Sequence, residues 1–182
     1  MIRNFIIPVI VCIFFLNFVT TSFAVEKDSS IRAPQTTVQY DLSYPGLLPD
    51  HPFYVLKQVR DNMMTLLIGK PLDRSAFMLL QSDKQVSTAK LLVDQKKDVN
   101  MIKDSCISSQ KLFEDAIDDA QSAKQEGFAT GDLITQLRMA SKKHYEIMRE
   151  ILVQLSPEEK KMFVDIEKRS LELIPRTASL KS

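Results

Sequence analysis

The chain has 182 residues, 45% of them hydrophobic and 26% charged, and its 24 basic and 23 acidic side chains leave a net charge of +1. This composition belongs to a single globular domain and excludes collagen-like, low-complexity and disulfide-scaffold chains. Four glycines, two histidines and two cysteines argue against phosphate-cradling loops and multi-ligand metal centres, and near-neutrality excludes the broad basic footprint of a general nucleic-acid binder.

Arg3 precedes an apolar run from Phe5 to Val19, and Ser22-Phe23-Ala24 supplies the small-x-small pattern that a signal peptidase reads. Residues 1–24 are therefore expected to be a signal peptide cleaved after Ala24, on a protein exported to the periplasm, the cell envelope or the exterior. The alternative is a membrane anchor over residues 5–25, whose length approaches that needed to span a bilayer. Cleavage leaves 158 residues, with 23 basic side chains against 23 acidic ones and Cys106 as the single cysteine. No internal disulfide is then possible, and stability rests on a packed core.

Residues 25–43 show no period and are expected to form a flexible linker. The rest predicts an all-α fold, an elongated antiparallel bundle of about five helices at 51–68, 72–97, 99–126, 132–155 and 157–174. These make up a helical bundle domain at 44–175, followed by a polar, frayed tail at 176–182. In the first helix Asp50 is expected as N-cap with Pro52 in the first turn, and Phe53, Leu56, Val59, Met63 and Leu67 recur at helical spacing. Gly69 and Pro71 close it. The second helix carries Leu72, Ala76, Leu79, Leu80, Val86 and Val93. In the third, positions 99, 102, 106, 109, 113, 116, 120 and 123 alternate by three and four. Its phase does not continue that of the second helix, which predicts a turn near Asp98 although no Gly or Pro marks one. The fourth helix presents Ile134, Leu137, Ser141, Tyr145, Met148, Leu152 and Leu155. Ser156-Pro157-Glu158-Glu159 reads as a capping box opening the fifth, which Pro175 is expected to end.

Little in the chain suggests chemistry. His51 reads as a helix-entry residue. His144 and Met148 share a helix face with Met139 behind them, which raises a soft-metal site, but the methionines follow the apolar stripes and read as core. Glu114, Asp115, Asp118 and Asp119 form an acidic patch whose repulsion a divalent cation, a basic partner or the chain's own Lys142 and Lys143 would offset; the last, or simple solvation, needs nothing new and is the expectation. Asp83 falls on an inward stripe, so a buried carboxylate with a partner is expected, supplied by Lys57 or Arg60. Cys106 reads as a buried, inert thiol. No nucleophilic triad or zinc spacing is present, and no catalytic residue, cofactor or metal is expected.

One segment is more specific. Tyr44-Pro45-Gly46-Leu47-Leu48-Pro49-Asp50-His51-Pro52-Phe53-Tyr54-Val55-Leu56-Lys57 resembles the Y-P-G-(I/L)-L-P-D-(S/H)-P-x-Y-x-L-K signature of an uncharacterised family of exported bacterial helical proteins. Ala140-Ser141-Lys142-Lys143-His144, with Pro157-Glu158-Glu159, is similar to that family as well. The resemblance covers about residues 40–170 and implies a cell-envelope location and an all-helical domain. It brings no catalytic residues. Physically, Pro45-Gly46 suits a tight turn, and Pro49 and Pro52 stiffen the approach to the helix. Tyr44, Leu47, Leu48, Phe53 and Tyr54 are expected either to fold back as a clasp over the bundle end or to stand out as an epitope; burial of the three rings together would exclude the epitope.

These features predict a noncatalytic exported protein acting as an interaction or structural module, with Tyr44, Pro45, Gly46, Pro49, Asp50, Pro52, Phe53, Tyr54 and Lys57 as its interaction or clasp motif. A metal-responsive or chaperone-like periplasmic protein is the alternative, and a hydrolase with a carboxylate site a weaker one. The expected partner is a protein, with no nucleic acid, and with membrane contact only if the leader stays uncleaved.

Overall fold

A computed structural model describes residues 38–180. The expected signal peptide at 1–24, residues 25–37 of the expected linker and residues 181–182 of the expected tail lie outside the described residues. The described residues are all-α: α1 (Tyr54–Leu67), α2 (Pro71–Asp94), α3 (Val99–Gln125), α4 (Gly131–Gln154), α5 (Pro157–Lys161) and α6 (Val164–Ala178).

The expected fifth helix is thus two helices. The Ser156 capping box opens α5 as anticipated, but a turn at Met162 and Phe163 divides it from α6 and drops the Phe163 ring fully into the core. Pro175 does not end α6. It lies in the final turn, where its missing N–H removes one bond rather than opening the helix middle. Nor are residues 176–180 frayed. Leu180 is buried, and the Arg138 guanidinium donates to the carbonyls of Thr177 and Leu180.

Two helical hairpins make the bundle. In the first, Arg74 meets Asp119, Ser75 meets Ala116 and Ser82 meets Ser109, so α2 and α3 are antiparallel. In the second, α4 and α6 are antiparallel through Ser141–Thr177 and Arg149–Glu167. Across the hairpins the sense is parallel: Asp83, Lys90 and Asp94 of α2 meet His144, Glu150 and Gln154 of α4 in order. Gln110 and Asp118 of α3 likewise meet Ser170 and Arg176 of α6.

The buried apolar side chains form two clusters. One holds Val86, Leu92, Ile102, Cys106, Ile151 and Phe163 among others; the second holds Leu79, Phe113, Ile117, Ile134, Leu137 and Leu173. Most inward stripes match the heptad reading, and α3 matches it throughout. Two assignments slip by one residue, with Ser75 buried rather than Ala76 and His144 rather than Tyr145; of Leu79 and Leu80, both expected inward, Leu79 is buried and Leu80 exposed.

The expected turn near Asp98 is present. The Lys97 N–H bonds the Leu92 carbonyl and the Lys96 N–H bonds that of Val93, a Schellman closure with Lys96 at φ 53°. The Asp98 carboxylate then caps α3 by accepting from the Asn100 N–H at 2.8 Å. The end of α3 uses the same closure, with Phe128 bonding Ala123 and Gly127 at φ 86°. Lysine therefore stands where a glycine is preferred, and its Cβ is strained in the left-handed region. Lys96→Gly is expected to stabilise the domain by about 0.5–1 kcal/mol after the larger entropy of the unfolded glycine is counted; urea unfolding midpoints measure it, and a lowered midpoint contradicts the strain.

Candidate functional site

Three places hold the residues singled out by the sequence: the bundle centre, the acidic patch, and the segment leading into α1.

At the centre, Asp83 of α2 is 4% exposed and His144 of α4 is 6% exposed. Asp83 Oδ1 lies 2.7 Å from His144 Nε2, and Oδ2 accepts a 2.7 Å bond from the Tyr40 hydroxyl. The expected buried carboxylate exists, but its partners are His144 and Tyr40 and not Lys57 or Arg60. Those two belong to α1: Arg60 pairs with Asp61 beside it, and Lys57 turns to backbone carbonyls. Burial, reinforced by the adjacent Asp83, raises the Tyr40 phenol well above its usual range.

Asp83 and His144 form one part of a polar layer. Ser82 and Ser109 bond each other and each other's backbone between α2 and α3. The Gln110 amide donates to the Ile166 carbonyl at 2.6 Å and the Ser170 hydroxyl at 2.7 Å, linking α3 to α6. Ser141 and Thr177 lie 3.0 Å apart between α4 and α6. Each of these four helix seams therefore carries at least one buried polar pair. Among the described residues, every buried side-chain nitrogen and oxygen has a partner, as low-dielectric interiors require. A cavity of about 20 Å³ touches His144, Gln110, Ser170, Met148 and Cys106, room for about one water. Cys106 is buried, and desolvation pushes its thiol up to about 12.

Tyr40 brings the chain N-terminal to the helices into this network. The Val38 N–H donates to Glu146, Leu42 packs on one core cluster and Tyr40 on the other. Residues 38–43 thus lie docked over α2 and α4 instead of forming part of a free linker. Tyrosine supplies both an apolar ring and a hydroxyl that reaches the buried carboxylate.

At the acidic patch, Arg74 grips Asp119 through two nitrogens, Arg176 pairs with Asp118 at 2.6 Å, and Arg169 pairs with Glu114 at 3.2 Å. The compensating cations come from α2 and α6, not from Lys142 and Lys143; Lys143 pairs instead with Glu146. Burial and the neighbouring carboxylates raise the pKa of Asp115. Among the described residues, no three His, Cys, Asp or Glu side chains converge to hold a metal ion.

The motif before α1 is held by polar groups. Pro45 is buried, and Gly46 takes φ 74° in the turn, where a side chain would be strained. Lys57 Nζ reaches back to the Pro45 carbonyl at 2.9 Å and lies 5.4 Å from the Tyr54 ring centre. Asp50 does not cap the helix. It forms a 2.7 Å ion pair with Lys97, which lowers its pKa, and α1 begins four residues later at Tyr54. His51 Nδ1 accepts instead from the Phe53 N–H. Pro49 is half-buried and Pro52 exposed. Leu48 packs on the core, whereas Tyr44 is 79% exposed, Phe53 is exposed and Tyr54 half-buried. The three rings are not buried together, so the clasp is made by Lys57, Pro45 and Leu48.

The main departure from the sequence reading is α1 itself. Its anticipated core stripe points outward, with Leu56 65% and Leu67 74% exposed, and the helix buries no residue fully. At about 100° per residue, Val55, Leu56, Val59, Met63, Leu66 and Leu67 occupy an arc of roughly 120°. Tyr54, Lys57, Asp61 and Thr65, the half-buried side of the helix, lie diametrically opposite. Periodicity located this face; it carried no sign of which way the face would turn.

Compared with protein-family models, curated proteins and solved structures, the chain matches none.

Asp83→Ala strands the Tyr40 hydroxyl and the His144 ring and is expected to cost about 3–5 kcal/mol. Tyr40→Phe is expected to cost about 1–2 kcal/mol and to speed amide exchange over residues 38–48; unchanged exchange there means that the hydroxyl does not hold the segment. Asp115 has a raised folded pKa, so its ionised form opposes folding and acidification relieves it. Asp115→Asn is therefore expected to raise Tm at pH 7, with the gain shrinking as pH falls into the carboxylate range; a gain independent of pH contradicts this.

Proposed function

We propose that this chain is a noncatalytic, exported helical-bundle protein of the cell envelope that acts by binding, and that its working surface is the outward apolar face of α1. The leader-like run Phe5–Val19 with Ser22-Phe23-Ala24 supports export. The observation that carries the binding role is the outward stripe of Val55, Leu56, Val59, Met63, Leu66 and Leu67. Burying one such side chain is worth about 1.5–3 kcal/mol, so a helix that turns this stripe to water forgoes stabilisation that a bound partner would return. Two methionines in α1, Met63 and Met64, both exposed, suit a surface that adapts to what it meets.

The bundle centre supports the noncatalytic reading. Tyr40, Asp83 and His144 satisfy one another, and Tyr40 covers the pair from the α2–α4 side. An acid–base site needs a free proton position within reach of substrate; here the carboxylate's two oxygens and His144 Nε2 are engaged inside the protein.

In-cell photocrosslinking tests the binding role. A photoreactive residue at Val59 or Leu66 is expected to give discrete adducts, and the same probe at the exposed Lys168 on α6 is expected to give few. Equal adduct patterns from both helices, or none from α1, would falsify the assignment of α1 as the binding face.

A further inference from the structure

The occupant of the α1 face is written into its spacing. We propose that the face is covered by the same face of a second copy of this chain, the two α1 helices lying antiparallel about a two-fold axis that crosses the interface between Val59 and Met63, level with residue 61. This inference rests on α1 being the binding face and goes beyond it by naming the partner.

The first argument is symmetry. Val55 and Leu67, Leu56 and Leu66, and Val59 and Met63 are placed equally on either side of residue 61. A two-fold axis through an antiparallel helix pair brings each residue to its mirror position, so all three pairs meet as apolar layers. Closed two-fold dimers need a self-complementary patch, and this helix has one by sequence. Leu56, Val59, Met63 and Leu66 also follow the three-four-three spacing of a coiled-coil seam.

The second argument is area. Phe53, Val55, Leu56, Val59, Met63, Leu66 and Leu67 are each more than half exposed. Together they present on the order of 700 Å² of apolar surface, above the ~300–600 Å² of the largest patch on a typical monomer and near the ~800 Å² each partner gives to a standard interface.

The third argument is charge. Arg60 is the charged side chain bordering the seam, and Asp61 holds it at 2.7 Å, which reduces repulsion between the two Arg60 side chains near the axis. The same pairing disfavours a bilayer as occupant. Helices that lie in a membrane surface carry a basic polar face toward the headgroups, whereas the polar side of α1 turns toward its own bundle and Lys57 is engaged by the Pro45 carbonyl.

The test uses the protein expressed from its full-length sequence and purified as cells deliver it, in a Cys12→Ser background. Cys106 is buried and stays silent. Val59→Cys and Met63→Cys variants, mixed and mildly oxidised, are expected to form a disulfide-linked dimer at least about tenfold more than either variant alone, as antiparallel layers at 59 and 63 demand. Efficient crosslinking by Val59→Cys alone indicates parallel pairing and overturns the proposal. Without oxidant, the parent is expected to sediment at twice the mass of a Leu56→Glu/Leu66→Glu variant that keeps the parent's helical circular-dichroism spectrum and a cooperative, if lower, unfolding transition. A monomeric parent overturns the proposal, including one that floats with phosphatidylcholine/phosphatidylglycerol vesicles, which gives the face to the bilayer. A monomer that still forms α1 adducts with another protein in cells removes only the second copy; a monomer without adducts removes the binding role as well.

Discussion

A carboxylate inside a helical core must be given partners, and Asp83 sets the terms for the rest of this bundle. Its two oxygens are taken from two directions. His144 on a parallel neighbour supplies one contact and Tyr40 on an extended segment the other. Apolar heptads alone would allow α2 and α4 to slide by a turn with modest loss, because one leucine layer resembles the next. A buried carboxylate and imidazole tolerate no such slip, since each would be left without its partner. The serine, glutamine and threonine pairs on the other seams repeat the device with uncharged groups. The two apolar clusters supply cohesion, and the polar layer between them fixes register.

Much of this was legible in the sequence, and the limits have physical causes. The stripe of α3 is readable because alternation by three and four is a property of one helix. Asp83, Ser109 and Ser141 were also placed inward from spacing. Their partners could not be found, because partner choice depends on how hairpins stack. His144 was missed as a core residue because the stripe was phased on Ser141, Tyr145 and Met148, whereas the buried set Leu137, Ala140, His144, Ile147 and Ile151 is centred on His144. Lys57 and Arg60 were reasonable partners for Asp83 only while α1 was taken to bury its apolar face. The turn at Asp98 was found from a phase shift, while its closing residue was invisible because Lys96 occupies the left-handed position where glycine is the usual signal.

The reversal of α1 separates two properties that amphipathicity joins. A strong apolar stripe says that a helix needs a partner, not that the partner belongs to the same fold. Here the bundle is completed by α2, α3, α4 and α6, whose seams are already closed by packing and polar pairs. The side of α1 that approaches them carries Tyr54, Lys57, Asp61 and Thr65, suited to a hydrated contact rather than a core. Holding this helix in place falls to Lys57 on the Pro45 carbonyl, to Asp50 on Lys97, and to Leu48 in the core.

The docking of Tyr40 also bears on the order in which the chain is completed. Tyr40 lies 43 residues before Asp83, and Asp83 lies 61 before His144. A chain made from its N-terminus exposes Tyr40 early, yet the acceptor that receives its hydroxyl is positioned only once α4 has been synthesised. The segment at 38–48 is thus among the first of the described residues to emerge and among the last able to settle. Until α4 arrives, the Val38 N–H lacks its Glu146 acceptor and the Asp83 carboxylate lacks the imidazole that shares it, so the leading end of the domain closes late.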